Sequence, residues 1–106
     1  MTTITVVRYR VLPGREDENA GLVRDVYHEL AATAPPDVAY STHLLEDGTF
    51  LHVAELADPG ALRRLAAFRR FREGLADRVA EPPVFAAAER LGAYAPAGPA
   101  AVLTAR

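Results

Sequence analysis

The chain contains no cysteine and no tryptophan, and all 12 of its basic residues are arginine. Without cysteine there is no disulfide, no thiolate nucleophile and no Cys-ligated zinc site. No stretch approaches the ~20 apolar residues of a membrane span. The first residues, Met1 to Tyr9, lack the basic start and long apolar run of a secretion signal. These absences lead to the expectation of a cytoplasmic protein without a membrane partner. A formal net charge of −2 gives no electrostatic support for a nucleic-acid partner. The glycines form no G-x-G-x-x-G or G-x-x-x-x-G-K phosphate loop, and no serine sits in a nucleophile elbow.

What is present suits one ordinary globular domain. The 106 residues are 50% hydrophobic and 25% charged, enough for a modest core but marginal for a deep cavity unless a second copy helps to enclose it. Residues 3 to 12, rich in β-branched side chains, predict a strand ended by Pro13-Gly14. An acidic start and apolar residues Leu22, Val23, Val26, Tyr27 and Leu30 at helical spacing predict a helix stopped by Pro35-Pro36. Two strand-like runs flank Asp47-Gly48. A second helix is expected from Pro59 to Val79, with Asp58 as N-cap and Leu62, Leu65, Phe68, Phe71 and Leu75 as its stripe. Residues 84–95 read as a last strand. The order β-α-β-β-α-β is ferredoxin-like: a four-stranded antiparallel sheet with two helices on one face, an α+β fold. Residues 1–95 make the domain and 96–106 a loosely held Pro/Gly/Ala tail. The helices leave one sheet face bare, and the expected cover is the sheet of an identical subunit, a homodimer.

The turn places the histidines. If Asp47-Gly48 forms a two-residue type I′ turn, Glu46 pairs with Thr49, and counting outward sets His43 against His52. Ser41, His43, Leu45, Phe50, His52, Ala54 and Leu56 would then share one face. A half-buried imidazole titrates near neutrality and can remove an acidic proton from a ligand. Two adjacent imidazoles discourage double protonation, leaving one as a base. The plainer alternative is a pair of structural histidines satisfied by neighbouring polar groups.

Three segments, "VLPGREDE", "DGTFLHVAELADPGAL" and "AAFRRFREGL", resemble the antibiotic biosynthesis monooxygenase (ABM) superfamily over roughly residues 3 to 94. The resemblance implies a dimeric α+β barrel, with a pocket in each subunit between sheet and helices. Where relatives carry F-x-L-x-E-x-W on the third strand, the phenylalanine and tryptophan face that pocket. Here the run places Phe50 and Leu56 there, with His52 on the same side. Tyr9 on the first strand would face it too, and Tyr27 and Phe68 are expected to reach it from the helices. Haem-degrading relatives use an asparagine, a tryptophan and a histidine where this chain has Val7, Leu56 and no helix-two histidine, so haem degradation is not expected.

The resemblance also implies a chemistry. It is cofactor-independent oxygenation of a small aromatic or polyketide-type substrate, with His52 or His43 abstracting a proton and Tyr9, Ser41, Phe50, Leu56, Tyr27 and Phe68 contacting the ligand. The same base would serve a cyclase or isomerase, and the competing reading is a non-catalytic binding or accessory dimer. No cofactor is expected. No metal is expected either, since a third ligand is missing: Asp37 lies ~20 Å along the strand from His43. Arg8 and Arg10 share the sheet parity of Glu55 and are expected to pair with it at the dimer interface, beside Tyr40. The arginines around Phe68 and Phe71 read as a solvated helix surface.

Overall fold

The computed structural model describes residues 3–95; the 96–106 tail lies outside the described residues. Strand β1 spans Thr3–Arg10, helix α1 Glu16–Thr33, β2 Val38–Leu44, β3 Thr49–Leu56 and β4 Val84–Ala88. Between β3 and β4 lie a 3-10 turn, Leu62–Arg64, and two short helices, α2 Ala66–Glu73 and α3 Leu75–Arg78. The sheet is antiparallel with order β2-β3-β1-β4. This is the ferredoxin-like β-α-β-β-α-β arrangement expected from the sequence.

Local chemistry sets the element ends. Helix α1 opens with Glu16, Asp17 and Glu18, which suit the positive N-terminal end of its dipole. Ala34 closes it in the left-handed conformation ahead of Pro35, since a residue after Ala34 cannot continue the ladder without an N–H. The expected single helix from Pro59 is instead broken. Asp58 accepts the Gly60 N–H in a local turn rather than capping a helix, and Leu65 takes an extended conformation before α2 begins. Glu29 of α1 supplies the cap, accepting the Ala66 and Ala67 N–H groups at 3.3 and 2.8 Å. That contact ties α1 to α2 and satisfies donors a helix start leaves open. β4 is shorter than expected: it ends at Ala88, which pairs with Ile4 one residue from the start of β1.

The core lies between sheet and helices. Tyr9 and Val11 of the first strand region, Phe50 of β3, Val23 and Val26 of α1, and Leu62, Leu65, Phe68, Phe71 and Leu75 are buried together. The opposite sheet face carries Ile4, Val6, Leu51 and Val53, half-buried, with no helix over them among the described residues.

The β2–β3 connection differs from the expected two-residue turn in a way that matters. Leu44 pairs with Phe50, the Leu45 N–H donates to the Thr49 carbonyl, and the Gly48 N–H to the Leu45 carbonyl. The loop is therefore three residues, Glu46 to Gly48, with Gly48 in the left-handed region at φ 89°; this is a type I turn followed by a left-handed residue. Asp47 accepts the Thr49 N–H at 2.9 Å and pairs with Arg10 at 3.0 Å, so the expected Arg10–Glu55 pair is replaced, and Glu55 pairs with Arg90. Substituting Gly48 by alanine forces a side chain into positive φ and is expected to lower stability by ~1 kcal/mol. Chemical denaturation should show a lower midpoint with an unchanged slope.

Candidate active site

The three-residue loop shifts the β2–β3 register by one residue from a two-residue turn, and such a slip moves side chains to the other face. His52 is opposite Thr42, not His43, and His43 is opposite Leu51. His43 and Ser41 therefore lie on the sheet face away from the helices. There they are joined to each other by a 3.3 Å hydrogen bond, and His43 is exposed. Both are removed from the pocket. Tyr40, expected on the interface face opposite Glu55, is instead opposite Ala54 and on the helix side with Thr42. The slip exchanges a histidine partner for a tyrosine and a threonine.

His52 is almost fully buried, 3% exposed, and both ring nitrogens are engaged. Nε2 lies 2.8 Å from the Tyr9 hydroxyl. Nδ1 lies 2.7 Å from the Tyr40 hydroxyl and 3.1 Å from Thr42 Oγ1, which in turn bonds the Tyr27 hydroxyl at 2.8 Å. On the far side of Tyr9, Asn19 Nδ2 donates to its oxygen at 2.9 Å, and Arg78 Nε donates to Asn19 Oδ1 at 3.0 Å. Arg78 also donates to the Phe71 carbonyl. One chain of hydrogen bonds thus runs Arg78–Asn19–Tyr9–His52–Tyr40, with Thr42 and Tyr27 as a branch. Aromatic stacking keeps it in place: the Tyr9 ring lies between Phe50 and His52, with centroids 5.6 and 5.4 Å away, and Tyr40 stacks on both Tyr27 and His52.

This network was only partly visible in the sequence. His52 and Tyr9 were expected at the site; Tyr40, Thr42, Asn19 and Arg78 were not. Two of the missed residues had a signal. Asn19 precedes Val23 by four and Val26 by seven, and Arg78 follows Phe71 by seven and Leu75 by three. A polar residue inside an apolar helical stripe must find buried partners. Gly74 belongs here too, because a Cβ on it would stand 2.8 Å from Arg78 Nη1.

A cavity of about 280 Å³ opens beside this network. Its walls are the helix-side residues of β1 and β3 (Thr5, Val7, Ala54 and Leu56) with Leu62, Phe68, Phe71 and Leu75 opposite. His52, Tyr9 and Tyr40 form a polar end, while Arg63, Arg72 and Phe85 also border it. Arg63 and Arg72 are exposed, with no acidic partner among the described residues, and Arg72 lies over the Phe85 ring at 5.9 Å. Of the expected contact residues, Tyr9, Leu56 and Phe68 line the cavity. Phe50 does not: it is core, supporting Tyr9 from behind. Tyr27 borders a separate, shallower depression near Pro35 and reaches the site through Thr42. Among the described residues no group of three or more His, Asp or Glu side chains could hold a metal, and no helix is long and apolar enough to cross a membrane.

The fold has solved counterparts. A candidate antibiotic biosynthesis monooxygenase from Nitrosomonas europaea superposes with a TM-score of 0.70 at 19% identity, over 85% of this chain and 90% of that one. This chain has the ABM-like fold. A Mycobacterium tuberculosis protein matches with a TM-score of 0.72 at 12% identity, covering 90% of this chain and 100% of its own. A candidate antibiotic biosynthesis monooxygenase from Caulobacter crescentus matches at 0.66 and 18% identity, over 86% and 91% of the two chains. No protein-family model and no curated protein sequence matches the chain. The ABM-like likeness is therefore one of backbone.

Burial pushes His52 down to about 4, with a smaller contribution from the charge of His43, so the imidazole is neutral near pH 7. Burial pushes Tyr9 up to about 12 and raises Tyr40; both phenols keep their protons. Unfolded His52 takes a proton below about 6.5, whereas folded His52 resists until about 4. Its contribution is fully present above pH 6.5 and is lost as pH falls to 4, on the order of 3 kcal/mol in total. Urea melts across that window should lose stability more steeply for the wild type than for His52→Gln, which cannot titrate. Parallel curves would show that the ring is not held neutral.

Proposed function

We propose that the chain binds a small, largely apolar molecule of aromatic or polyketide type in the 280 Å³ cavity and acts on an acidic proton of that molecule. The supporting observation is a polar cluster of His52, Tyr9 and Tyr40 at one end of otherwise apolar walls. Ligand sites are mostly apolar with a few placed polar groups, and an open slot with an imidazole at its edge fits a ligand better than a filled core does. The volume suits a ligand of one to a few fused rings.

As an enzyme the protein would be a cofactor-independent monooxygenase. The ligand, carrying an activated CH2 next to a carbonyl held at the Tyr40–His52 end, gives up one proton of that CH2 to solvent as its enolate is stabilised. The anion gives an electron to O2 and the two combine as a peroxide, which takes a proton from solvent; the O–O bond then breaks as the carbon loses its second hydrogen, leaving one oxygen on the ligand as a carbonyl and releasing the other as water. The protein's part is to exclude bulk water, orient the ligand and stabilise the anion through Tyr40 and the cationic border at Arg63 and Arg72. His52 works with its two tyrosines rather than as a free base paired with His43.

We further propose that two copies of the chain form a homodimer. The bare sheet face with Ile4, Val6, Leu51 and Val53 is apolar enough to require a cover, and a second copy joined face to face hides it while leaving both cavities under their helices.

Oxygen uptake with a panel of anthrones and quinols tests the chemistry. The wild type should consume O2, and His52→Ala should be slower by on the order of 100-fold. Equal rates would remove His52 from the mechanism, and saturable binding without uptake would leave a binding protein. Sedimentation at micromolar concentration should give about twice 11.4 kDa; a stable monomer would overturn the dimer.

A further inference from the structure

The hydrogen-bond chain has a direction, and the direction says what the cavity presents to a ligand. Arg78 Nε has only a proton to give, so the Asn19 atom it touches must be the carbonyl oxygen. The amide nitrogen of Asn19 therefore faces Tyr9 and donates to its oxygen. Tyr9 is 5% exposed, and its own hydrogen has one acceptor within reach among the described residues, His52 Nε2 at 2.8 Å. A neutral imidazole whose Nε2 accepts must carry its proton on Nδ1. That proton points to Tyr40 at 2.7 Å, with Thr42 Oγ1 at 3.1 Å sharing it. The Tyr40 oxygen is then an acceptor on the His52 side; with the neighbouring Thr42 Oγ1 already engaged by the Nδ1 proton and the Tyr27 hydroxyl, the Tyr40 O–H is free to turn toward the cavity that the residue lines.

We infer that Arg78 and Asn19 act as positioning residues that hold His52 in its Nδ1–H form, so that Tyr40 offers a hydrogen to the ligand. The site thereby selects a ligand with an acceptor oxygen at its buried end: a carbonyl, an enolate or a phenolate rather than a neutral hydroxyl. This rests on the reading of the cavity as a small-molecule site, but its first test needs no ligand. Reversing the direction requires only one atom. In Asn19→Asp, a carboxylate takes the donors of Arg78 and Tyr9 together, so the Tyr9 oxygen must accept from His52, the proton moves to Nε2, and Tyr40 turns to donate to Nδ1.

Nitrogen-15 NMR of the histidine side chains distinguishes the two forms. In the wild type, His52 should show a protonated Nδ1 and an unprotonated Nε2, and Asn19→Asp should exchange them. A wild-type ring protonated on Nε2 would overturn the inference whether or not the variant folds. The second arm uses a hydroxyanthraquinone dye, half ionised in buffer, read by absorbance. The wild type should bind its ionised form roughly tenfold better than the neutral form, and Tyr40→Phe, with Arg63 and Arg72 unchanged, should lose that preference. Retention of the preference in Tyr40→Phe would overturn the role of the tyrosine hydroxyl. A dye that binds neither form tells against the small-molecule reading, while the NMR result stands on its own.

Discussion

The structure depends on the burial of one imidazole. His52 sits in the middle of β3 with the sheet on its sides and Phe71 of α2 over it, centroids 5.4 Å apart. A polar ring in that position costs stability unless each nitrogen has a partner. The partners come from both neighbouring strands: Tyr9 from β1 on one side, Tyr40 and Thr42 from β2 on the other. Because β3 lies between β2 and β1 in the sheet, a helix-side residue in its middle can gather hydroxyls from two strands at once.

That demand spreads outward. Tyr9 must itself be oriented, and Asn19, fully buried in α1, does this. Asn19 must be oriented in turn, and Arg78 at the end of α3 does that while giving another hydrogen to the Phe71 carbonyl. The guanidinium is 2% exposed and lies over the Phe71 ring at 5.5 Å. Burial lowers its proton affinity, yet an arginine stays charged under such conditions. Sheet, first helix and last helix are thus joined by side chains that are each satisfied only if the others are in place. A fully satisfied buried network of this kind specifies one packing.

The resemblance to ABM-like structures lies in the path of the backbone, and nothing at 12–19% identity carries side-chain roles across. The chemistry therefore has to be read from this chain. What it presents is a ring already neutral near pH 7, held between two phenols that keep their protons.

The sequence by itself determined the element order, the helix-side burial of β1 and β3, and the presence of Tyr9, His52, Leu56 and Phe68 at one site. Alternation with period two and apolar stripes with period 3.6 are local properties, and they survive folding unchanged. It could not determine which residue of β2 meets His52. Asp47-Gly48 is compatible with a loop of two residues or of three, and the difference lies in backbone geometry stabilised by the Asp47–Thr49 and Asp47–Arg10 contacts. One residue of register separated a histidine pair from a histidine held by Tyr40 and Thr42. The roles of Asn19 and Arg78 were likewise decided only when α1 and α3 packed on the sheet, because a polar residue in an apolar stripe announces that it needs a partner without naming it.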